Sequence, residues 1–471
     1  MNKYKYLFRN IGILAISNFS VQLLAFFLVP LYTSILSTEE YGIYDLYTTT
    51  ITLMIPVLTI DIQDAVLRFT LDGSKDRDRQ VLSYSMRLLL IGAAAVGVFL
   101  LLNARFSFVK IINAYPLYFF FMYVSVAFYQ VMQNFAQGLN QVKQVGWSGV
   151  ICSLVFFVLN IFFLVGLHLG LRGYFLATIL SRIIPMIYLS FSTSVGSYLT
   201  FEPTGNDLKK SMKEYSAPLI VSQIGWWITS ASDRYFVTWF CGVAENGIYS
   251  IAYKIPNVLN TVQSLFNQAW VLSSVKEFDP QDRDGFFSNI YGMYNVVMTL
   301  ACELVILLSR WISSILFAND FYGAWIFIPF LTLGALFGAL AQVFNGIYTS
   351  VKESKVAAVT TAAGSITNII LNFILILKLG TIGAAIATFF SYFVVWLIRI
   401  LGIGKYIQLK LPLVRQIVSY LLLGLQTGLL YVLDESLTYY LVSLIIFVVL
   451  LILYRSEIGG MLDGMKNYRR A

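Results

Sequence analysis

Runs of about 18 or more mostly apolar residues recur along nearly the whole chain, and no other feature limits its fold so tightly. In lipid every backbone N–H and C=O needs an internal partner, so such runs must fold as transmembrane helices. Only 12% of the 471 residues are charged, against about 25% in a soluble domain. Fourteen spans are predicted, near 11–36, 43–66, 81–102, 114–137, 147–167, 172–197, 215–240, 247–274, 288–312, 325–350, 356–377, 382–403, 412–432 and 436–454. The first run is too long for the roughly 7–15-residue apolar core of a signal peptide and reads as a retained helix. The expected class is an all-α integral membrane protein.

The net charge of +8 is read as a topology signal. One set of span ends carries 24 of the 32 lysines and arginines, including Lys3, Arg9, Arg68, Lys209, Lys276, Lys352, Arg399 and Arg470. The opposite ends carry five: Arg105, Lys110, Arg172, Arg310 and Lys378. By the positive-inside rule both termini are cytoplasmic. No loop carries a dense basic cluster with interleaved aromatics, so no nucleic-acid partner is expected.

The chain also repeats itself. STEEYGIYDLY (38–48) resembles VAENGIYSIAY (243–253), with Glu40, Gly42, Ile43 and Tyr44 meeting Glu245, Gly247, Ile248 and Tyr249 at an offset of 205. GLRGYFLATILS (170–181) matches GTIGAAIATFFS (380–391) at an offset of 210. Two ordered matches at nearly one offset argue for duplication. Each half holds six spans, an even number, so the halves are parallel repeats about an axis along the membrane normal. The expected organisation is a six-helix bundle over 1–200, a linker over 201–212, a second bundle over 213–405, and two additional helices with a tail over 406–471. Paired bundles leave a central seam, where carriers place their substrate.

Charges inside the spans need a reason, since each costs about 2.5–3.5 kcal/mol on insertion. In ASDRYFVTWF (231–240), Asp233 and Arg234 lie about 11 Å from the outer end of span 7 at ~1.5 Å per residue. Lys254 lies in span 8, Arg182 in span 6 ahead of Pro185, and Glu303 in span 9. In span 2, Asp61, Asp64 and Arg68 fall on one face by spacing. One reading has Arg234, Lys254, Arg182 and Arg68 lining a wet, cation-biased cavity for an anionic cargo, with Asp233, Asp64, Asp61 and Glu303 serving ion coupling or charge pairing. The competing reading pairs Asp233 with Lys254 and Asp64 with Arg68, purely to hold helices together. Tyr41, Tyr44 and Tyr47 share a face and suit an interfacial aromatic belt better than a sugar platform.

Little else carries chemistry. Cys152, Cys241 and Cys302 have no CxxC spacing, and His168 is the single histidine, so neither a metal site nor a bound cofactor is expected. There is no nucleotide-binding P-loop motif. The short loops leave no room for a nucleotide-sugar domain.

These residues resemble the Wzx-type polysaccharide biosynthesis flippases of the multidrug/oligosaccharidyl-lipid/polysaccharide exporter superfamily. The resemblance rests on TEEYGIY, AVLRF (65–69), QGLNQVKQVG (137–146), SDRYF (232–236) and G-x-x-G-x-x-x-A-T at the end of both halves, and runs from about Lys5 to Arg399. It implies a V-shaped, MATE-like pair of bundles plus two C-terminal helices, and no enzymatic activity. It implies a cargo, an undecaprenyl-pyrophosphate-linked oligosaccharide for O-antigen or capsule, moved to the outer leaflet of the bacterial plasma membrane. Alternating access coupled to protons or sodium, and a polysaccharide polymerase as partner, are implied with it. It places Asp233, Arg234 and Lys254 at the cavity and Arg68 near its cytosolic mouth. A multidrug antiporter, a lipid II flippase and a membrane glycosyltransferase or polymerase stay open beside it.

Overall fold

The computed structural model describes residues 26–71, 73–200, 204–433 and 436–460. Most of the first predicted span and the outermost basic residues at both ends lie outside these. Among the described residues every regular element is helical. Among the described residues, eight helices are long and apolar enough to cross a membrane, nine if one bent pair counts as a single span. The fourteen expected spans are consistent with this, since several of them are broken into shorter helices and most of the first lies outside the described residues.

The chain forms two compact units, Met1–Ala231 and Ser232–Ala471. The first contains α1 (Val29–Ile35), α2 (Thr38–Leu58), α3 (Ile62–Leu71), α4 (Lys75–Phe106), α5 (Pro116–Gly138), α6 (Val142–Asn160), α7 (Gly170–Ser192) and α8 (Asn206–Ala231). The second contains α9 (Asp233–Cys241), α10 (Val243–Ala252), α11 (Lys254–Lys276), α12 (Phe286–Leu307), α13 (Ser309–Leu316), α14 (Ile328–Ser350), α15 (Ser354–Leu379), α16 (Ile382–Gly402), α17 (Leu413–Val432) and α18 (Leu437–Leu453). The border therefore falls inside the seventh predicted span, and the stretch expected as a linker is helical from Asn206 onward.

The packing repeats as the sequence does. In the first unit α7 packs on α5 and α6, and α5 packs on α3 and α4; in the second α16 packs on α14 and α15, and α14 packs on α11 and α12. Small residues allow the closest approaches: Gly334 and Gly338 of α14 let Phe389 and Tyr392 of α16 come against its backbone. The two additional helices, α17 and α18, pack on each other and on α12. Large apolar side chains such as Leu101, Phe191, Trp239 and Leu377 stay exposed, as lipid-facing surfaces require.

Two local devices shape the first unit. Ser37 and Glu40 close a capping box at the start of α2: Ser37 Oγ accepts from the Glu40 N–H (3.2 Å), and Glu40 Oε2 accepts from the Ser37 N–H (2.9 Å). At the other end, α2 and α3 meet at a 56° bend. Pro56 withholds an N–H one turn earlier, and Ile60 and Asp61 both take left-handed backbone angles, φ 57° and 48°. A β-branched residue there is strained. The bend also breaks the expected face: Asp61 precedes α3 and does not share a helical stripe with Asp64 and Arg68.

Candidate functional site

A cavity of about 310 Å³ lies within the first unit, lined from α2, α3, α5 and α8. Its wall is rich in amides: Gln63 from α3, Gln130, Gln133 and Asn134 from α5, and Gln223 from α8. Trp226 and Trp227 of α8 add indoles, and Asp64 is the charged side chain among the described lining residues. Trp226 is 66% exposed, so its ring is available.

Hydrogen bonds hold this wall. Trp227 Nε1 donates to the Thr49 carbonyl (2.9 Å). Asn134 Nδ2 donates to the Gln63 carbonyl (2.9 Å), tying α5 to α3 just past the bend. Gln133 Nε2 donates to the Tyr129 hydroxyl (2.7 Å). The Asp64 carboxyl lies beside that of Asp61. Asp61 is fully buried, accepts from Gln63 Nε2 and keeps one oxygen without a partner.

The sequence candidates divide among several places. Arg182 lies behind the cavity wall, its guanidinium 5.6 Å from the Tyr129 ring and its Nη1 3.3 Å from Cys152 Sγ; Tyr129 in turn holds Gln133. Arg68 is exposed in the last turn of α3. Lys254 is the half-buried first residue of α11. Glu303 is buried on α12, where Gln426 Nε2 donates to it (3.1 Å).

Asp233 and Arg234 form a separate node in the second unit. Asp233 is 2% exposed. Its Oδ2 accepts from the hydroxyls of Tyr249 (2.5 Å), Tyr253 (2.6 Å) and Thr388 (3.3 Å). Its Oδ1 accepts from the Arg234 N–H (3.0 Å) and lies 3.9 Å from Arg234 Nη1. The guanidinium sits 4.8 Å from the Tyr253 ring, a cation–π contact. A buried carboxylate so supplied with donors is well compensated.

Several residues escaped the sequence reading. The stretch QVMQN (130–134) puts three amides on one side of an otherwise aromatic span, and that stripe was a usable signal. Arg399, counted as a topology charge, is 4% exposed and donates to the Ala341 carbonyl (2.8 Å) and Thr360 Oγ1 (2.9 Å), joining α16 to α14 and α15. Arg310 likewise stacks on Trp325 at 4.0 Å and donates to the Leu430 carbonyl. Tyr41 and Tyr47 form no interfacial belt: both are buried and pack with Tyr32 and Phe175 inside the unit. No group of three or more His, Cys, Asp or Glu among the described residues is arranged to hold a metal.

The family described as "Polysaccharide biosynthesis protein" matches residues 7–271. An uncharacterized membrane protein of Methanocaldococcus jannaschii is 23% identical over 205 residues, 43% of this chain and 40% of that protein. A "Probable low-salt glycan biosynthesis flippase" of Haloferax volcanii is 24% identical over 208 residues, 43% of each chain. The match thus spans about two-fifths of the length of these curated relatives. Among solved structures, the lipid II flippase MurJ in an inward closed conformation superposes with a TM-score of 0.70 at 15% identity, covering 94% of this chain and 99% of that one. An inward-facing multidrug resistance MATE transporter gives 0.67 at 15% identity, covering 82% and 95%. These two likenesses establish the fold.

Proposed function

This chain belongs to the polysaccharide biosynthesis protein family, and on that premise we propose that it is a flippase for a lipid-linked oligosaccharide. It carries an undecaprenyl-pyrophosphate-linked glycan unit from the cytosolic to the outer leaflet of the plasma membrane, for assembly of a surface polysaccharide. The cavity of the first unit is the observation that carries the reading. Side-chain amides offer both donors and acceptors and so match sugar hydroxyls. The exposed Trp226 offers a flat apolar face to a sugar ring. The lipid tail need not enter.

The pyrophosphate calls for cations. Arg182 approaches the cavity through Tyr129 and Gln133, and with Arg234, Lys254 and Arg68 it makes up the set from which phosphate contacts are drawn. The Asp61–Asp64 carboxyl pair, placed at the bend and on the cavity wall, is the group we assign to an exchangeable proton. Transport proceeds by alternating access, both termini face the cytosol, and a polymerase receives the product.

Deletion of the gene is expected to abolish surface polysaccharide and to leave the lipid-linked unit on the cytosolic leaflet. Trp226→Ala and Gln133→Ala should each lower surface polysaccharide at unchanged protein level. Normal export in the deletion strain would falsify the assignment. One observation favours a second reading: a wall of amides and indoles whose charged side chain, among the described lining residues, is the carboxyl of Asp64 also suits an organic cation. That antiporter reading predicts lost drug resistance and intact polysaccharide in the same strain.

A further inference from the structure

Away from the cavity and the Asp233 node, the second unit holds another buried carboxyl. Glu303 of α12 is 0% exposed. Its Oε1 accepts from Gln426 Nε2 of α17 at 3.1 Å. Its Oε2 has no hydrogen-bond partner, and the Oε1 of the same Gln426 has none either. Each member of this buried, bonded pair thus keeps one acceptor oxygen without a partner.

The titratable and charged groups around it do not fill this gap. Cys302 precedes it on α12 and is itself fully buried. Arg310 of α13 directs Nη2 to the Leu430 carbonyl (3.1 Å) and its face to Trp325. Tyr439 of α18 stands near Glu303 but donates its hydroxyl to the Ile306 carbonyl (3.1 Å). Tyr431 of α17 donates to the Ile326 carbonyl (2.5 Å). Tyr440 of α18 sets its ring edge-on against Tyr439 at 5.4 Å, and the remaining such groups on the elements packed against α12 lie at other levels: Lys254 and Lys276 at the ends of α11, Tyr348 at the last turn of α14, and Arg415 and Tyr420 in the first two turns of α17.

A carboxylate and an amide oxygen repel. One proton removes the conflict: placed on Glu303 Oε2, it donates to Gln426 Oε1, while Gln426 Nε2 already donates to Glu303 Oε1. The result is a reciprocal acid–amide pair with both orphaned acceptors satisfied and no charge left in the bilayer. A metal cation would satisfy the oxygens but needs several more ligands.

We propose that Glu303 is a proton-binding site, its neutral acid paired reciprocally with Gln426, and that this proton fastens the additional α17–α18 hairpin to α12. The site does not depend on what the cargo is. At another level, other bonds make the same seam: Tyr420 donates to Asn295 Oδ1 (2.6 Å), and Asn295 Nδ2 donates to the Tyr454 hydroxyl (3.1 Å). Those need no proton; the Glu303–Gln426 bond pair does. When the proton leaves, that level of the seam loses one of its two bonds and gains a buried charge.

Infrared spectra of the full-length protein in phospholipid vesicles, recorded across pH in H2O and D2O, test this. The wild type is expected to show the carbonyl stretch of a protonated acid at neutral pH. The band should shift in D2O, fade as pH rises and be lost in Glu303→Gln. Gln426→Leu should keep the band and move it to higher frequency, because the acid's carbonyl loses its donor. Identical wild-type and Glu303→Gln spectra in this region at every pH would overturn the proposal. So would a band that vanishes on adding sodium at constant pH, which would assign the site to a metal cation, or one that Gln426→Leu leaves unmoved.

Discussion

In the first unit, Thr178 donates directly to the Tyr44 hydroxyl (3.2 Å). In the second, the repeat-equivalent Thr388 and Tyr249 both donate to Asp233 instead. The residue equivalent to Asp233 in the first unit is Leu28, 1% exposed, and the one equivalent to Arg234 is Val29, 0% exposed. The contrast extends to cations: Arg182 on α7 corresponds to Tyr392 on α16. Glu40 and Glu245 also diverge, the first capping α2 and the second accepting from Thr381 Oγ1 (2.9 Å). Duplicated helices have kept their packing partners while their buried polar groups were rewritten. Helix packing depends on where small and large residues fall, and one polar exchange alters it little so long as hydrogen bonds remain satisfied.

Substitutions can break or sharpen this comparison. Asp233→Leu gives the second unit the apolar residue of the first, but strands three hydroxyls and Arg234; a loss of about 3–5 kcal/mol is expected in denaturant unfolding of the purified protein. A loss below about 1 kcal/mol would mean that the carboxylate holds nothing together. Next in size, Tyr249→Phe removes a donor to a charged group and should cost about 1.5–3 kcal/mol, whereas Tyr44→Phe removes a neutral bond at about 0.5–1.5 kcal/mol. Equal losses would erase the distinction between the nodes.

The repeat glycines make a third test. A Cβ at Gly383 would strike the backbone of Leu375, while one at Gly173 would meet the Cβ atoms of Phe163 and Leu169 at 2.9 and 3.0 Å. Gly383→Ala is expected to cost about 1–3 kcal/mol by overpacking, and Gly173→Ala less. The smallest effect concerns a shared feature. Gly170 and Gly380 both have positive φ, 55° and 68°; alanine at either should lower stability by about 1 kcal/mol or more. Melting temperatures of the paired variants measure this.

Much of the fold could be read beforehand, because hydropathy and repeat spacing are local properties. Asp233, Arg234 and Arg182 stood out because any charge in an apolar run is expensive. Their partners did not: Thr388 lies 155 residues from Asp233, and a hydroxyl in a membrane helix satisfies itself on its own backbone at little cost. The cavity amides Gln130, Gln133 and Asn134 were visible but carry no charge, so they gave a weaker sign. Arg399 and Arg310 sit near helix ends, where position alone cannot separate a snorkelling cation from a buried clamp.

By itself the amino-acid sequence determined that this chain lives in a membrane, that it is helical, and that it was built by duplication. Transfer to lipid is a sum over residues along one strand of sequence, and helix is the form that leaves no backbone group unpaired. Only the tertiary structure decided that the Gln and Trp side chains meet around one cavity, that Asp233 is enclosed by hydroxyls, and that Glu303 faces an amide. Those outcomes depend on how each helix is rotated about its axis and against which neighbour, and hydrogen bonds act over about 3 Å of space whatever the distance along the chain.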